Sequence, residues 1–331
     1  MTPSMNHWER IRSAIKGEET DQIPLSLWRH WPTHEESALA LATSTIRWQR
    51  EYDYDLIKIT PMGTYAIEDW GAKTFYNPNP NGVRTVIKHA VQKPEEYPRL
   101  NKLNVNEGCY GRQLQALDMI HAEFHDNEAP ILMTVFSPLT IANKLVGDRV
   151  YSDMRQNPSL LEEGLAIIAD VTKSFALESV RRGAHGIVFA CQGGSYRLMD
   201  ETQYQRFGVT YDRVVLDAVR NESQIIMLHA HGSDIMFDLF ARYPVDAINW
   251  HDRLTSPSLA EAAKRFGGML VGGINEWKTL LTGTPEDVHA EIKEAIRQTS
   301  GRRLMIGPGC VIPINTPVEN IVAARNSVNL E

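Results

Sequence analysis

The sequence predicts an α/β protein folded as a (β/α)8 TIM barrel. Short apolar runs rich in β-branched residues alternate with longer helical patterns about eight times along the chain, and such alternation marks parallel βα units. The length of 331 residues suits one large barrel. No glycine-rich phosphate loop follows the first apolar run, which argues against an open doubly wound sheet.

The elements follow in order. The N-terminal stretch "MTPSMNHWERIRSAIKGEE" reads as a short polar amphipathic helix, without the apolar core of a signal peptide. The expected strands are Ile23–Trp28, Asp55–Thr60, Ile131–Phe136, Gly186–Ala190, Ile225–His231, Ala247–His251, Met269–Ile274 and Arg303–Gly307. The stretch 70–106, with "NPNPNG" inside it, is expected to form an inserted loop or hairpin over one rim. "PSLLEEGLAIIADVTKSFALESVRRG" and "TPEDVHAEIKEAIRQTSG" read as helices. The second opens on a Thr cap with Pro at the first helical position and closes on Gly. No linker or repeat divides the chain, so one domain is expected over residues 1–331.

Composition narrows the function classes. A hydrophobic content of 43% and a charged content of 23% are ordinary for a globular protein. The formal charge of -7 and the lack of a basic run argue against nucleic acid as a partner. No apolar run is long enough to span a membrane. Three scattered cysteines, Cys109, Cys191 and Cys310, make no disulfide framework and fit a reducing cytoplasm.

A barrel places its site where strands end. The fifth expected strand ends in "LHAHG". His229 and His231 stand at i and i+2, so both imidazoles project to one face and can offer nitrogen to one metal. Two histidines in this spacing are as readily strand packing. Other strand ends carry Trp28, Arg29 and His30; Thr60; Gln192; Asn249, Trp250, His251 and Asp252; Asn275 and Glu276; and Cys310. Tyr65 lies shortly after Thr60. Trp28, Trp31, Tyr65 and Trp250 are expected to ring the mouth, with Arg29 or His30 as its chief polar contact. Such a pocket suits a small aromatic or apolar-bodied ligand. Lys58 lies mid-strand, where it faces either the barrel or the helices.

The chain resembles the uroporphyrinogen decarboxylase superfamily. The resemblance rests on "ERIRSAIKGEETDQIPLSLW" (9–28), "SPLTIANKLVG" (137–147), "LVGGINEWKTLLTGTPEDV" (270–288) and "GPGCVIPINTPVENIVAA" (307–324), and it covers nearly the whole chain. It implies a distorted TIM barrel. It also implies one of several chemistries: porphyrinogen decarboxylation, zinc-dependent methyl transfer between a corrinoid and coenzyme M, or cobalamin-independent methionine synthesis. True decarboxylases carry "MRQAGR" after the first strand, an Asp after the second, and His in the closing motif. Here those places read "WRHWPTHEE", "KITPMG" and Cys310.

The methyltransferase branch is closer. Its resemblance implies zinc held by a His-x-Cys pair on strand five and a Cys in the closing motif, which map onto His229, His231 and Cys310. The departure is His231, which stands where the family has a cysteine. An imidazole in place of a thiolate leaves the metal more electropositive and a bound thiolate less nucleophilic. The expected function is therefore a zinc-dependent methyltransferase or demethylase for a small methylated compound, with a corrinoid protein or a thiol as partner. The alternative is a metal-dependent lyase or hydrolase on the same barrel, including a diverged decarboxylase. His229, His231 and Cys310 are the expected metal ligands. His251, Asp252 and Tyr65 are the candidate catalytic residues. Trp28, Arg29, His30, Thr60, Gln192 and Trp250 are the candidate substrate contacts. The decarboxylase resemblance further implies a homodimer.

Overall fold

The computed structural model describes residues 4–124 and 128–329. Residues 1–3, 125–127 and 330–331 of the expected domain lie outside the described residues. The N-terminal helix runs His7–Lys16, capped by Asn6 and Glu9 in a reciprocal capping box.

Seven parallel strands form one curled sheet. They are β1 (Ile57–Ile59), β4 (Ile131–Phe136), β5 (Gly186–Cys191), β6 (Ile225–Ala230), β7 (Ala247–Trp250), β8 (Met269–Ile274) and β9 (Leu304–Pro308), paired in that order. β2 (Lys73–Phe75) and β3 (Thr85–Lys88) pair antiparallel as a separate hairpin within 70–106. The turn between them packs over the mouth: a Cβ on Gly82 would stand 2.9 Å from side-chain carbons of both His30 and Pro32.

The expected first strand, Ile23–Trp28, is instead an extended segment with one parallel bridge, Leu25 to Ile306. Pro24 has no N–H to donate, which keeps the ladder from becoming regular. The segment still closes the barrel. On one side Ile306 N donates to Pro24 O (2.8 Å) and Ser26 N to Ile306 O (3.0 Å). On the other, Asp55 N donates to Leu25 O (2.9 Å) and Ser26 Oγ to Leu56 O (2.7 Å). Asp55, fully buried, ties this seam to the N-terminal helix. It accepts from Leu25 N (2.9 Å), pairs with Arg10 and meets His7 Nδ1 (2.9 Å).

Strand alternation sorts side chains into two cores. Leu56, Leu132, Val188, Met227, Ala247, Met269, Val271 and Met305 pack in one cluster with Trp8, Ile11 and Ala14 of the N-terminal helix. That cluster fills the barrel interior. Ile57, Met133, Phe189, Leu228, Ile248, Trp250 and Leu270 belong to the larger core between sheet and helices. The helix Pro158–Arg181 carries much of that outer layer, with Leu161, Leu165, Ile168, Phe175 and Ala176 buried. The helix Pro285–Thr299 starts at a Thr284–Asp287 capping box and stops on Ser300 in the left-handed conformation, one residue before the expected Gly301. Among the described residues no helix is long and apolar enough to cross a membrane.

Asp212 on the helix Thr210–Arg220 is wholly buried. Its Oδ2 accepts from Tyr243 (2.8 Å) and Tyr204 (3.1 Å), and burial raises its carboxyl to about 7 against those hydrogen bonds. A raised carboxyl binds its proton more tightly in the folded chain. The associated stability is present below the unfolded value and is lost as pH rises from about 4 to about 7, by at most about 1.4 kcal/mol per pH unit. Asp212→Asn should flatten this slope. Urea unfolding at pH 5 and pH 8 reads it: the variant should gain on the parent at pH 8, and an unchanged difference between the two pH values would refute the assignment.

Candidate metal centre

The C-terminal ends of the strands open into a cavity of about 380 Å³. Its floor is set by alternation. β1 contributes Lys58 and, just past its end, Thr60; β4 contributes Thr134 and Phe136; β5 contributes Val188, Ala190 and, after it, Gln192; β6 contributes His229. His231 and His251 follow β6 and β7, and Cys310 follows β9. Trp28 and His30 come from the closing segment, Lys144 from the helix Pro138–Val146, and Arg84 from the hairpin.

His229, His231 and Cys310 converge. One ligand atom from each lies within 4.8 Å of the others, so the set is sized for one metal ion. His231 N donates to Cys191 O (2.9 Å), which extends the β5–β6 pairing past the strand end and holds the second imidazole beside the first. His229 Nδ1 is 2.6 Å from Asn249 Oδ1. His251 Nε2 is 3.4 Å from His231 Nδ1, and its Nδ1 is 3.1 Å from Glu276 Oε1. Gly309 allows the closing loop to come this near. A Cβ there would lie 2.8 Å from His251 Nδ1.

The electrostatics match a thiolate site. Burial alone would raise the Cys310 thiol, yet the neighbouring imidazoles bring it down to about 7. Burial lowers His229, and burial with the neighbouring His251 and Lys144 brings His231 to about 4. Both are therefore neutral and have a lone pair to give. For His251, burial pulls down while Glu276 and the Cys310 charge pull up harder, and the net shift is upward. Two imidazoles and one thiol of lowered acidity are a donor set that fits zinc.

Lys58 and Lys144 add positive charge to the same cavity. Burial lowers each to about 8, and the Cys310 charge opposes that in both. Lys58 Nζ reaches only Thr60 Oγ1 (3.3 Å) and the face of Trp28 (5.5 Å), and Lys144 Nζ lies 5.0 Å over the Phe136 ring. Among the described residues neither has a carboxylate within salt-bridge range.

Four expected site residues lie off the cavity. Tyr65 is 1% exposed; its hydroxyl donates to Thr134 O (2.9 Å) and its ring packs among Tyr110, Phe136 and Phe175. Trp250 is wholly buried on the outer face of β7 against Phe237, with Nε1 bonded to Pro257 O (2.9 Å). Asp252 turns back under β8, where both carboxylate oxygens accept from Gly273 N. Arg29 stacks on Trp31 at 4.8 Å, outside the lining. The expected aromatic ring of the mouth is thus reduced to Trp28, joined by Trp277. His30 does line the cavity, held by Glu35 at 2.7 Å.

The reading of the sequence missed Lys144, Arg84, Thr134 and Trp277, gave Asn249 a place at a strand end but no role, and left the direction of Lys58 open. Alternation from Thr60 would have turned Lys58 inward. Nothing local marks Lys144, which sits in an otherwise apolar helix.

Known proteins agree with this architecture. The family described as Uroporphyrinogen decarboxylase (URO-D) matches residues 6–329. The methylcobamide:CoM methyltransferase MtbA of Methanosarcina acetivorans is 24% identical over 95% of this chain and 94% of its own. A uroporphyrinogen decarboxylase of Prochlorococcus marinus is 26% identical over 74% of this chain and 71% of its own. A solved methyltransferase from Methanosarcina mazei shares the fold, with a TM-score of 0.84 at 20% identity over 98% of both chains. The chain belongs to the uroporphyrinogen decarboxylase (URO-D) family.

Proposed function

We propose that this chain is a zinc-dependent methyltransferase that moves a methyl group from a methylated corrinoid, carried by a partner protein, to a small anionic thiol. The observation that carries the reading is the convergence of His229, His231 and Cys310 in the cavity that also holds Lys58 and Lys144. Relatives named methylcobamide:CoM methyltransferases support it.

Zinc held by His229, His231 and Cys310 supplies a Lewis acid that keeps a thiol deprotonated at neutral pH. Lys58 and Lys144 hold the acceptor's anionic group, since two ammonium groups without carboxylate partners leave strong donors unused in a half-closed space. His251, backed by Glu276, is the side chain placed to take the thiol proton. The sulfur–carbon bond then forms as the methyl–cobalt bond breaks, with that bond's electron pair staying on cobalt. Trp28, Phe136 and Trp277 shield the reacting sulfur from water on the apolar side.

An octa-acid tetrapyrrole fits this site poorly. It needs many cationic contacts, and the cavity offers two lysines and Arg84, the last paired with Glu36. The two lysines also move the ligand class away from the small aromatic or apolar-bodied ligand that the expected tryptophan ring suggested.

Three outcomes follow. Protein purified without an affinity tag should bind one zinc per chain, and His229→Ala should lose zinc and methyl transfer together; a metal-free preparation with full activity refutes the site. His231→Cys should tighten zinc in a chelator competition, because a thiolate replaces a neutral imidazole; weaker binding would show that His231 is no ligand. Lys58→Met and Lys144→Met should each raise the KM for coenzyme M about 10- to 100-fold, the scale of one lost charge-assisted hydrogen bond, with little change for neutral 2-mercaptoethanol. Equal losses for both thiols in a methylcobalamin assay would exclude anion binding by the lysines.

A further inference from the structure

Asn249 holds both ends of the ligand set. It is 1% exposed and sits inward on β7, directly across the ladder from His229. Its Nδ2 donates to Val271 O on β8 (2.9 Å) and to Pro308 O on β9 (3.0 Å). A carboxamide nitrogen has two hydrogens and a backbone carbonyl can only accept, so both donors are committed. Turning the amide over would set its oxygen against two carbonyl oxygens and leave both carbonyls unpaired. The orientation is therefore fixed by the network. Oδ1, 2.6 Å from His229 Nδ1, can only accept.

His229 must then carry its proton on Nδ1 and leave Nε2 free. We infer that Asn249 is a positioning residue that locks the His229 tautomer and clamps the ends of β6 and β9, so that His229 Nε2 and Cys310 Sγ meet at one place. It touches no substrate. Pro308, whose carbonyl it holds, is two residues before Cys310, so one side chain sets both donors. The same bond lowers the cost of ordering the imidazole, because the ring is held before any ion arrives. The consequence for metal binding rests on the zinc reading; the tautomer does not, since it belongs to the metal-free chain.

The test is nitrogen NMR on metal-free protein labelled with 15N-histidine at pH 8, with the His229 signals assigned by their loss in His229→Ala. Nδ1 should appear as the protonated nitrogen and Nε2 as the unprotonated one; an Nε2–H form or an even mixture overturns the inference. Asn249→Leu, checked for folding by circular dichroism, should weaken zinc about 10- to 100-fold in chelator competition, the usual loss when a ligand's supporting group is removed. Unchanged affinity in the folded variant overturns the clamp. Wild-type protein that takes up no zinc would sink the proposed function and leave the tautomer result standing.

Discussion

Strand alternation is the constraint on which the site depends. Each inward position on β1, β4, β5, β6 and β7 has the same parity as the residue that reaches the cavity above it. Thus Leu56, Lys58 and Thr60 run inward on β1, and Met227, His229 and His231 run inward on and just past β6. A slip of one residue in the β6–β7 ladder would turn Asn249 outward and bring Trp250 into the barrel. The lower barrel resists that slip with a packed layer of Leu132, Val188, Met227, Ala247, Met269 and Met305. The same pattern that fills the interior therefore aims His229 and His231.

Closure of the barrel brings in Cys310, the third member of the proposed ligand set. Cys310 is more than 75 positions from His231 in sequence, and it reaches the imidazoles only because β9 lies between β8 and the 23–28 segment. That segment is held on both sides by backbone hydrogen bonds and beneath by Asp55. The buried Asp55–Arg10 pair, with Asp21 as a further acceptor for Arg10, thus supports the site from the opposite end of the barrel. The loss of Arg10 would leave the buried Asp55 to His7 and the more distant Arg325, and weakening a buried charge pair is destabilising. In the cavity the balance is reversed. Lys58 and Lys144 face one acidified thiol, and the resulting positive field suits an anionic ligand.

Much of this was legible in the sequence, and the failures have physical causes. The strands β4 and β8 run as read, because their apolar runs are bounded by turns and buried on both faces. The triad His229, His231 and Cys310 was legible because i, i+2 spacing needs no tertiary information and the closing motif has a fixed place. Trp250 and Tyr65 were misplaced because proximity to a strand end does not give the direction of a side chain. Trp250 follows inward Asn249 and so points out, while Tyr65 starts the short helix Tyr65–Glu68 and packs under it. Asp252 resembled a catalytic residue by its place at a strand end, but its carboxylate serves a backbone N–H of β8. Asn249 stood among the strand ends without a role, because its role exists only when three strands meet. Lys144 was invisible because a lysine in an apolar helix reads as its solvent edge.

The central claim is that two imidazoles and one thiolate of this chain hold one zinc and leave room for a thiol. X-ray absorption at the zinc edge of metal-loaded protein tests it most directly. A shell of two imidazole nitrogens, one sulfur and one lighter exchangeable atom is expected, with a second sulfur replacing that atom when coenzyme M is added. A zinc shell without sulfur, or one unaltered by the thiol, would contradict it.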